Sequence, residues 1–347
     1  MGERKMAIEK KGAGEILLAH GGGGLLSRRL IEEVFLNAFS NKHLAPLNDQ
    51  AVLTVNRSRL AFTTDSYVVN PIFFPGGDIG RLSVCGTIND LAVGGARPLY
   101  LSASFIIEEG LPFDELGRVV KSMADTARAA GVEIVTGDTK VVERGKGDRL
   151  FITTAGIGVM DDSADLSPSL IRPGDVIIVS GTMGDHGIAI LTHREGIRME
   201  TPVKSDCAPL HSLTADMLKA SGGGIRAMRD PTRGGLSSTL NEFARSCMCA
   251  MVMDEERIPV LEAVRGACEI LGFDPLYLAN EGKLVAVVSP EAAPPVLEAM
   301  RKNPLGRDAS IIGTVEAGPK GKVLLETSIG NRRIVDMLSG EQLPRIC

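Results

Sequence analysis

Residues 51–65 read AVLTVNRSRLAFTTD: two runs, AVLTV and LAFTTD, in which apolar and polar residues alternate, separated by the turn-forming stretch Asn56 to Arg59. Alternation with period two places apolar side chains on one face of a strand, so the stretch predicts a hairpin opening a sheet. Working outward, Asp78 to Gly95 has a helical mix and PLYLSASFII (98–107) returns as a strand. DELGRVVKSMADTARAAG (114–131) has the period of an amphipathic helix, and VEIVTGDTKVV (132–142) and RLFITTAGIGVM (149–160) complete a strand-rich half. Strands and helices in this order predict an α+β sheet with helices on one face. The Pro, Ser and Gly density of SPSLIRPGD (167–175) marks a linker, after which DVIIVSG begins a second domain. That half alternates too. Helices are expected near 184–194 and 206–221 and from Thr232 to Gly235 onward, with strands near 250–254, 282–289 and 309–316. Element order leaves open whether the halves are a diverged duplication.

A chain of 347 residues suits two cores better than one. The expected organisation is a glycine-rich segment at 1–45, an N-terminal domain at 46–165, a C-terminal domain at 172–326 and a mobile tail at 327–347. A net charge of −5 without a long basic run argues against nucleic acid. The absence of any run of about 20 apolar residues, and of an apolar region near the N-terminus, predicts a cytoplasmic protein that avoids membranes. Six cysteines, at 85, 207, 247, 249, 268 and 347, lack both zinc-site spacing and disulfide-scaffold density and read as reduced thiols. Cys247 and Cys249 read as core thiols at an apolar helix end.

Gly21 to Gly24 stand immediately before the helical pattern LLSRRLIEEVFLNAF. Such a run lets backbone N–H groups approach an anion, and the helix start adds positive partial charge, so the segment reads as a phosphate cradle or a glycine hinge. Asp65, Asp90, Asp138 and Asp230 fall at element ends, where carboxylates can converge on magnesium and a nucleotide's phosphates, although each by itself is an ordinary cap or turn former. Asp162 reads as an ordinary turn residue. Lys140, after Gly137-Asp138-Thr139, could neutralise phosphate charge; Glu281, at the lip of a strand, could accept a proton. Either could equally be a surface ion-pair partner.

Beyond residue 327, Gly330, Gly340 and Pro344 oppose a long terminal helix, so the tail is expected to be mobile; the 17 residues after Gly330 would reach about 55 Å if extended. At its end stands Cys347. A thiol on a free tail gains nothing from packing and is prone to oxidation, so it calls for a use. Prenylation needs the cysteine four residues from the end, and here it is last.

These segments together resemble the HypE hydrogenase-maturation family within the aminoimidazole ribonucleotide synthetase (PurM-like) superfamily. The likeness is carried in order by LAHGGGGLLSRRL, FTTDSYVVNPIFFPGGDIGRLSVCGTINDLAVGGARPLYLS, VTGDTKVV, GTMGDHGIAIL, RDPTRGGL, LYLANEGKL and the terminal PRIC. The resemblance implies a two-domain PurM-like fold, with N-terminal sheets pairing in a homodimer to form a barrel and ATP bound near that interface. It implies that Asp65, Asp90 and Asp230 hold Mg2+ and ATP phosphates, with Asp138 and Thr139 nearby, and that Gly22, Gly23 and Gly24 close over the nucleotide. Lys140 and Glu281 are implied to face the incoming tail. The implied reaction is an ATP-dependent dehydration of a carbamoyl group on Cys347 to a cyano group, with HypF as carbamoyl donor and a HypC–HypD complex as cyanide acceptor. Other superfamily enzymes, such as selenophosphate synthetase or a kinase, and a non-catalytic thiol carrier are the alternatives. The selenium enzyme would carry a reactive Cys in its N-terminal glycine segment, whereas the first cysteine here is Cys85.

Overall fold

The glycine run ends where a helix begins: Gly24 is the N-cap of α1 (Leu25–Leu30), and α2 (Leu36–Phe39) follows after a wider turn at Ile31–Phe35. The computed structural model describes residues 16–347 other than 40, 161–163, 339 and 341–342, so the first 15 residues of the glycine-rich segment and Asp162 lie outside the described residues. Next come β1 (Ala51–Val55) and β2 (Ser58–Tyr67), paired antiparallel with Val55 opposite Ser58. Asn56 takes φ 58° at the turn between them, a left-handed conformation that asparagine tolerates.

A short ribbon, β3 (Phe73–Phe74) and β4 (Gly77–Asp78), leads into α3 (Ile79–Val93), whose start is capped by the Asp78 carboxylate accepting from the N–H groups of Gly80 and Arg81. Then follow β5 (Ala96–Glu108), α4 (Phe113–Ala130), β6 (Glu133–Val142) and β7 (Leu150–Met160), and the sheet order is β1-β2-β7-β5-β6. Helix α3 is buried on nearly every side because the sheet covers one side of it and the second domain the other. The amphipathic α4 lays Val119, Met123 and Ala127 into the same core.

The second sheet is built from β8 (Val176–Val179), β9 (Ile225–Arg229), β10 (Ala250–Asp254), β11 (Val285–Val288), β12 (Ser310–Glu316), β13 (Lys322–Glu326) and β14 (Arg332–Ile334) in the order β14-β13-β10-β12-β8-β11-β9. Around it lie α5 (Asp185–Arg194), α6 (His211–Ser221), α7 (Gly235–Cys247), α8 (Glu262–Leu271) and α9 (Ala293–Lys302). One core takes in Leu236, Leu240 and Phe243 of α7, and another takes in Leu213 and Met217 of α6 with Val296 and Met300 of α9. The Cys247/Cys249 pair does sit at the end of α7, with Cys249 buried.

The two domains are joined by a buried side chain. Asn89 of α3 donates from Nδ2 to the carbonyls of Ala208 (3.1 Å) and Glu281 (3.3 Å) and accepts the Leu210 N–H at 2.8 Å. Both of its N–H donors and one lone pair of its oxygen are spent across the seam, so the loop bearing Glu281 is fixed relative to α3.

The expectation of a mobile tail at 327–347 is corrected by the structure. Strand β14 pairs with β13, Val335 and Met337 are buried, and the chain returns so that Ile346 and Cys347 are buried too. Gly330, Gly340 and Pro344 do oppose a helix, but an extended segment needs none: its carbonyls and N–H groups are satisfied by other elements.

Candidate active site

Four acids from four places meet beneath the tail. Asp65 stands in the inward-facing row of β2, one step before Tyr67, Asp90 lies near the end of α3, Asp230 follows β9, and Glu281 precedes β11. Burial pushes the carboxyls of Asp65 and Asp90 up from the usual range, Asp90 well up, with repulsion from Asp65 and then Asp230 adding to the effect on Asp90. Burial and the nearby Asp49 and Asp65 push Asp230 up to about 8. Burial, reinforced by Asp230, Asp206 and Asp65, raises Glu281 well above the carboxylate range, and its Oε1 has no hydrogen-bond partner. Four desolvated acids around an unpaired oxygen make a site that calls for cations.

Each acid is held by neighbours. Thr63 donates to Asp90 Oδ2 at 2.7 Å and Tyr67 to Asp65 Oδ2 at 3.2 Å. The loop at Glu281 is gripped through its backbone: Glu281 N and Gly282 N both donate to the Asp206 carboxylate at 3.1 Å. Asn280 secures the other side, accepting from Gly184 N at 2.8 Å. Asp49 is paired with buried Arg229 at 2.9 Å, and Arg229 also pairs with Glu242.

Above the acids lies Cys347. Burial pushes its thiol up to about 12; Arg233 opposes that shift, and Glu281 and Asp65 add to it. The thiol therefore stays protonated while the tail is seated. Arg233, from the turn before α7, also donates to the Gly21 carbonyl at 2.9 Å and so links the glycine run, the acids and the tail. The run approaches closely: a β-carbon on Gly23 would meet the Arg233 carbonyl at 2.8 Å, and one on Gly24 would collide with the Leu338 carbonyl. Glycine is required there for contact distance as well as for conformation, since Gly23 has φ 72°.

Beside this cluster is a cleft of about 880 Å³, lined by Gly23, Gly24, Arg28, Asp49, Thr63, Arg229 and Glu242 among others. Its size suits a nucleotide; its walls include the glycine run, Thr63 and Thr64 of β2 and Arg229, which neighbour Asp65 and Asp230 in sequence, while the four acids themselves are not among its lining residues.

The remaining expected residues lie elsewhere in the chain. Asp138, Thr139 and Lys140 are exposed on β6, the sheet's edge strand, where Lys140 Nζ pairs with Asp138 Oδ2 at 2.9 Å. The register runs Asp65 opposite Thr154, Thr154 opposite Ala103 and Ala103 opposite Gly137. Three strand spacings, about 14 Å, thus separate this trio from Asp65 within one chain. Arg233, Asp49, Tyr67 and Asn89 received no role from sequence. Arg233 stood within RDPTRGG and read as part of a helix opening; Asp49 and Asn89 carry no local signal, because their partners are far along the chain.

The fold is that of the AIR synthase related proteins: the N-terminal domain model matches residues 47–160 and the C-terminal domain model residues 172–326. This is the PurM-like two-domain class. Carbamoyl dehydratase HypE of Bradyrhizobium diazoefficiens is 56% identical over 345 residues, 99% of each chain. Among solved structures, hydrogenase maturation protein HypE in complex with ATP is 49% identical with TM-score 0.81, covering 96% of this chain and all of the other. A HypE–HypF complex gives 48% identity and TM-score 0.85 over 89% and 99%. The chain belongs to the HypE carbamoyl dehydratase family. None of its described helices is long and apolar enough to cross a membrane.

Proposed function

We propose that this chain dehydrates a carbamoyl group, carried as an S-carboxamide on Cys347, to a thiocyanate at the expense of ATP, for delivery of the cyanide ligand to the iron of a [NiFe]-hydrogenase. The observation that carries the reading is the seat of Cys347 against Glu281 and Arg233, over the acids and beside a nucleotide-sized cleft.

A carboxamide oxygen is a poor leaving group and must first be made into a phosphate ester. Glu281 takes one proton from the amide nitrogen as the amide oxygen attacks the γ-phosphate and ADP leaves; the remaining N–H proton is then lost as the C–O bond breaks and phosphate departs with the oxygen. Balanced, S-carboxamide and ATP give thiocyanate, ADP, phosphate and a proton. Arg233 opposes, without reversing, the burial and acid repulsion that keep Glu281 protonated, so Glu281 acts as the base once bound cation and nucleotide relieve that repulsion, and Arg233 would also offset charge on the phosphoryl group. Gly22, Gly23 and Gly24 close over the nucleotide. The site's unpaired Glu281 oxygen and mutually repelling acids fit a divalent cation: Asp65, Asp90 and Asp230 would hold Mg2+, which when bound neutralises phosphate charge. No group of three or more His, Cys, Asp or Glu side chains placed to hold a metal ion occurs among the described residues, so nucleotide phosphates and water would have to supply the remaining ligands.

Lys140, Asp138 and Thr139 act at this site from a second copy. The outer face of the first sheet leaves Phe62, Ile157 and Tyr100 exposed in adjacent register across three strands, and β6 is an open edge. Such a face calls for a cover, and a second sheet of the same kind supplies it as a homodimer with a central barrel. HypF then loads Cys347 and a HypC–HypD complex receives the cyanide.

Mass spectrometry of the C-terminal peptide tests the reaction: with a carbamoyl donor and ATP, Cys347 should gain a carbamoyl mass and then lose one water. Cys347→Ala should bind ATP and show neither change. Modification of another cysteine would defeat the reading. Mixing Lys140→Ala and Glu281→Gln chains tests the arrangement, because a heterodimer regains one complete site only if Lys140 serves its partner.

A further inference from the structure

The end of the chain is held by its main chain. Arg194, on the last turn of α5, donates from Nη1 to the Pro344 carbonyl at 2.8 Å and from Nη2 to the Arg345 carbonyl at 2.7 Å, while its Nε holds the Asn70 carbonyl at 2.7 Å. One planar guanidinium thus ties the tail to the loop after β2. His186, near the start of α5, makes the next contact at 2.7 Å, from Nε2 to the Ile346 carbonyl. A carbonyl oxygen only accepts, so Nε2 carries the proton and Nδ1 accepts from the Ser205 hydroxyl at 2.8 Å. Ser205 Oγ in turn accepts the Cys207 N–H at 3.1 Å, and the imidazole packs perpendicular to the Phe74 ring, so the donor is fixed in direction. From the opposite side Asn70 N donates to the Arg345 carbonyl at 3.1 Å and Val68 N to the Cys347 carbonyl at 3.2 Å. Those contacts alternate along both segments, as they do when a peptide adds a strand.

We infer that Arg194 and His186 are positioning residues, a clamp on three successive tail carbonyls that seats the Cys347 sulfur against Glu281 and Arg233 for dehydration. The inference rests on the reaction proposed above. Because the clamp reads main chain, it places no demand on what the sulfur carries, and thiol, carboxamide and thiocyanate forms of Cys347 are held in one pose. Tail side chains add to the hold: Ile346 is buried in the core shared with Phe74 and Ala279, Leu343 packs against that core, and Arg345 donates to the Val68 carbonyl and pairs with Asp148.

The test uses the full chain and two readouts: the rate of iodoacetamide labelling at each cysteine by peptide mass spectrometry, and single-turnover dehydration of protein carbamoylated on Cys347. Losing two charge-assisted hydrogen bonds from the seated state should release the tail, so Arg194→Ala is expected to speed Cys347 labelling and slow dehydration, each at least tenfold, with ATP affinity unchanged. Arg194→Lys, which keeps the charge and loses the fork, should fall between. His186→Phe keeps the ring and removes the donor, and should resemble Arg194→Ala. His186→Gln restores an N–H and should recover much of both rates. Buried Cys85 and Cys207 serve as internal controls for folding, since labelling there would mark general loosening. Parental labelling rates in Arg194→Ala and His186→Phe, or parental dehydration despite a labelled tail, would overturn the clamp. If the parent protein itself does not dehydrate while these variants still free Cys347, the reaction assignment fails and the clamp stands.

Discussion

Replacing Asp230 by Asn should make the nucleotide-free protein more stable while weakening its hold on Mg-ATP. The Asp230 carboxyl is buried among Asp49 and Asp65 and is pushed from 3.8 to about 8. The folded state therefore keeps a proton that the unfolded chain gives up near pH 4. Its contribution to stability is complete below that pH and is lost progressively as pH rises to about 8. At pH 7 an isolated group would cost about 4 kcal/mol, from roughly three pH units at 1.36 kcal/mol each. The acids share their repulsion, so one substitution relieves only a part, about 1–2 kcal/mol, or roughly 2–8 °C in melting temperature for domains of this size. Thermal melts without nucleotide should show the Asn variant gaining on the parent between pH 4 and 8 and holding a constant lead above that. Calorimetric titration with Mg-ATP should show at least tenfold weaker binding, because one proposed ligand of the cation is removed. A variant that melts at or below the parent at pH 8, or that binds Mg-ATP equally well, would refute the account of Asp230 as a destabilised cation ligand.

Glu281→Gln keeps size and removes the proton acceptor, so it should bind ATP and accept the carbamoyl group yet accumulate carbamoyl-Cys347, with dehydration slowed 10²–10⁴-fold in single turnover; a near-parental rate would send the search for a base to Lys140, Asp138 or water. Gly24→Ala drives a β-carbon into the Leu338 carbonyl and should both loosen the tail, read as faster labelling of Cys347, and weaken ATP binding. Unchanged labelling would show that the glycine run and the tail are not packed as one unit.

Local signals carried the first domain. The hairpin at 51–67, the capped helix from Asp78 and the amphipathic helix after Pro112 each follow from neighbours in sequence, and the structure has them. Asp65, Asp90 and Asp230 were visible in a set with Asp138 because they fall near element ends, but Asp138 lies exposed on the edge strand, and Glu281, read apart from that set, joins the other three. What joins them was not: Arg229 bonds Asp49, 180 residues away, and Asn89 bonds the loop of Glu281, 192 away. Composition misled at the tail, since Gly and Pro report on helix-forming ability and say nothing of an extended segment whose partners are Arg194, His186 and two backbone N–H groups. Strands β13 and β14 were likewise missed; β14 is three residues long and solvent-exposed throughout, whereas β13, five residues with a buried centre, was overlooked beside the tail.

The pairing of β14 with β13 and the bond from Leu25 N to the Leu338 carbonyl give the end of the chain a fixed point of attachment. Nine residues follow Leu338 in the sequence, and nine residues span about 30 Å when fully drawn out. Cys347 is thus on a short leash. A protein that loads or unloads Cys347, as proposed above, must bring its own reactive centre within that distance of Leu338.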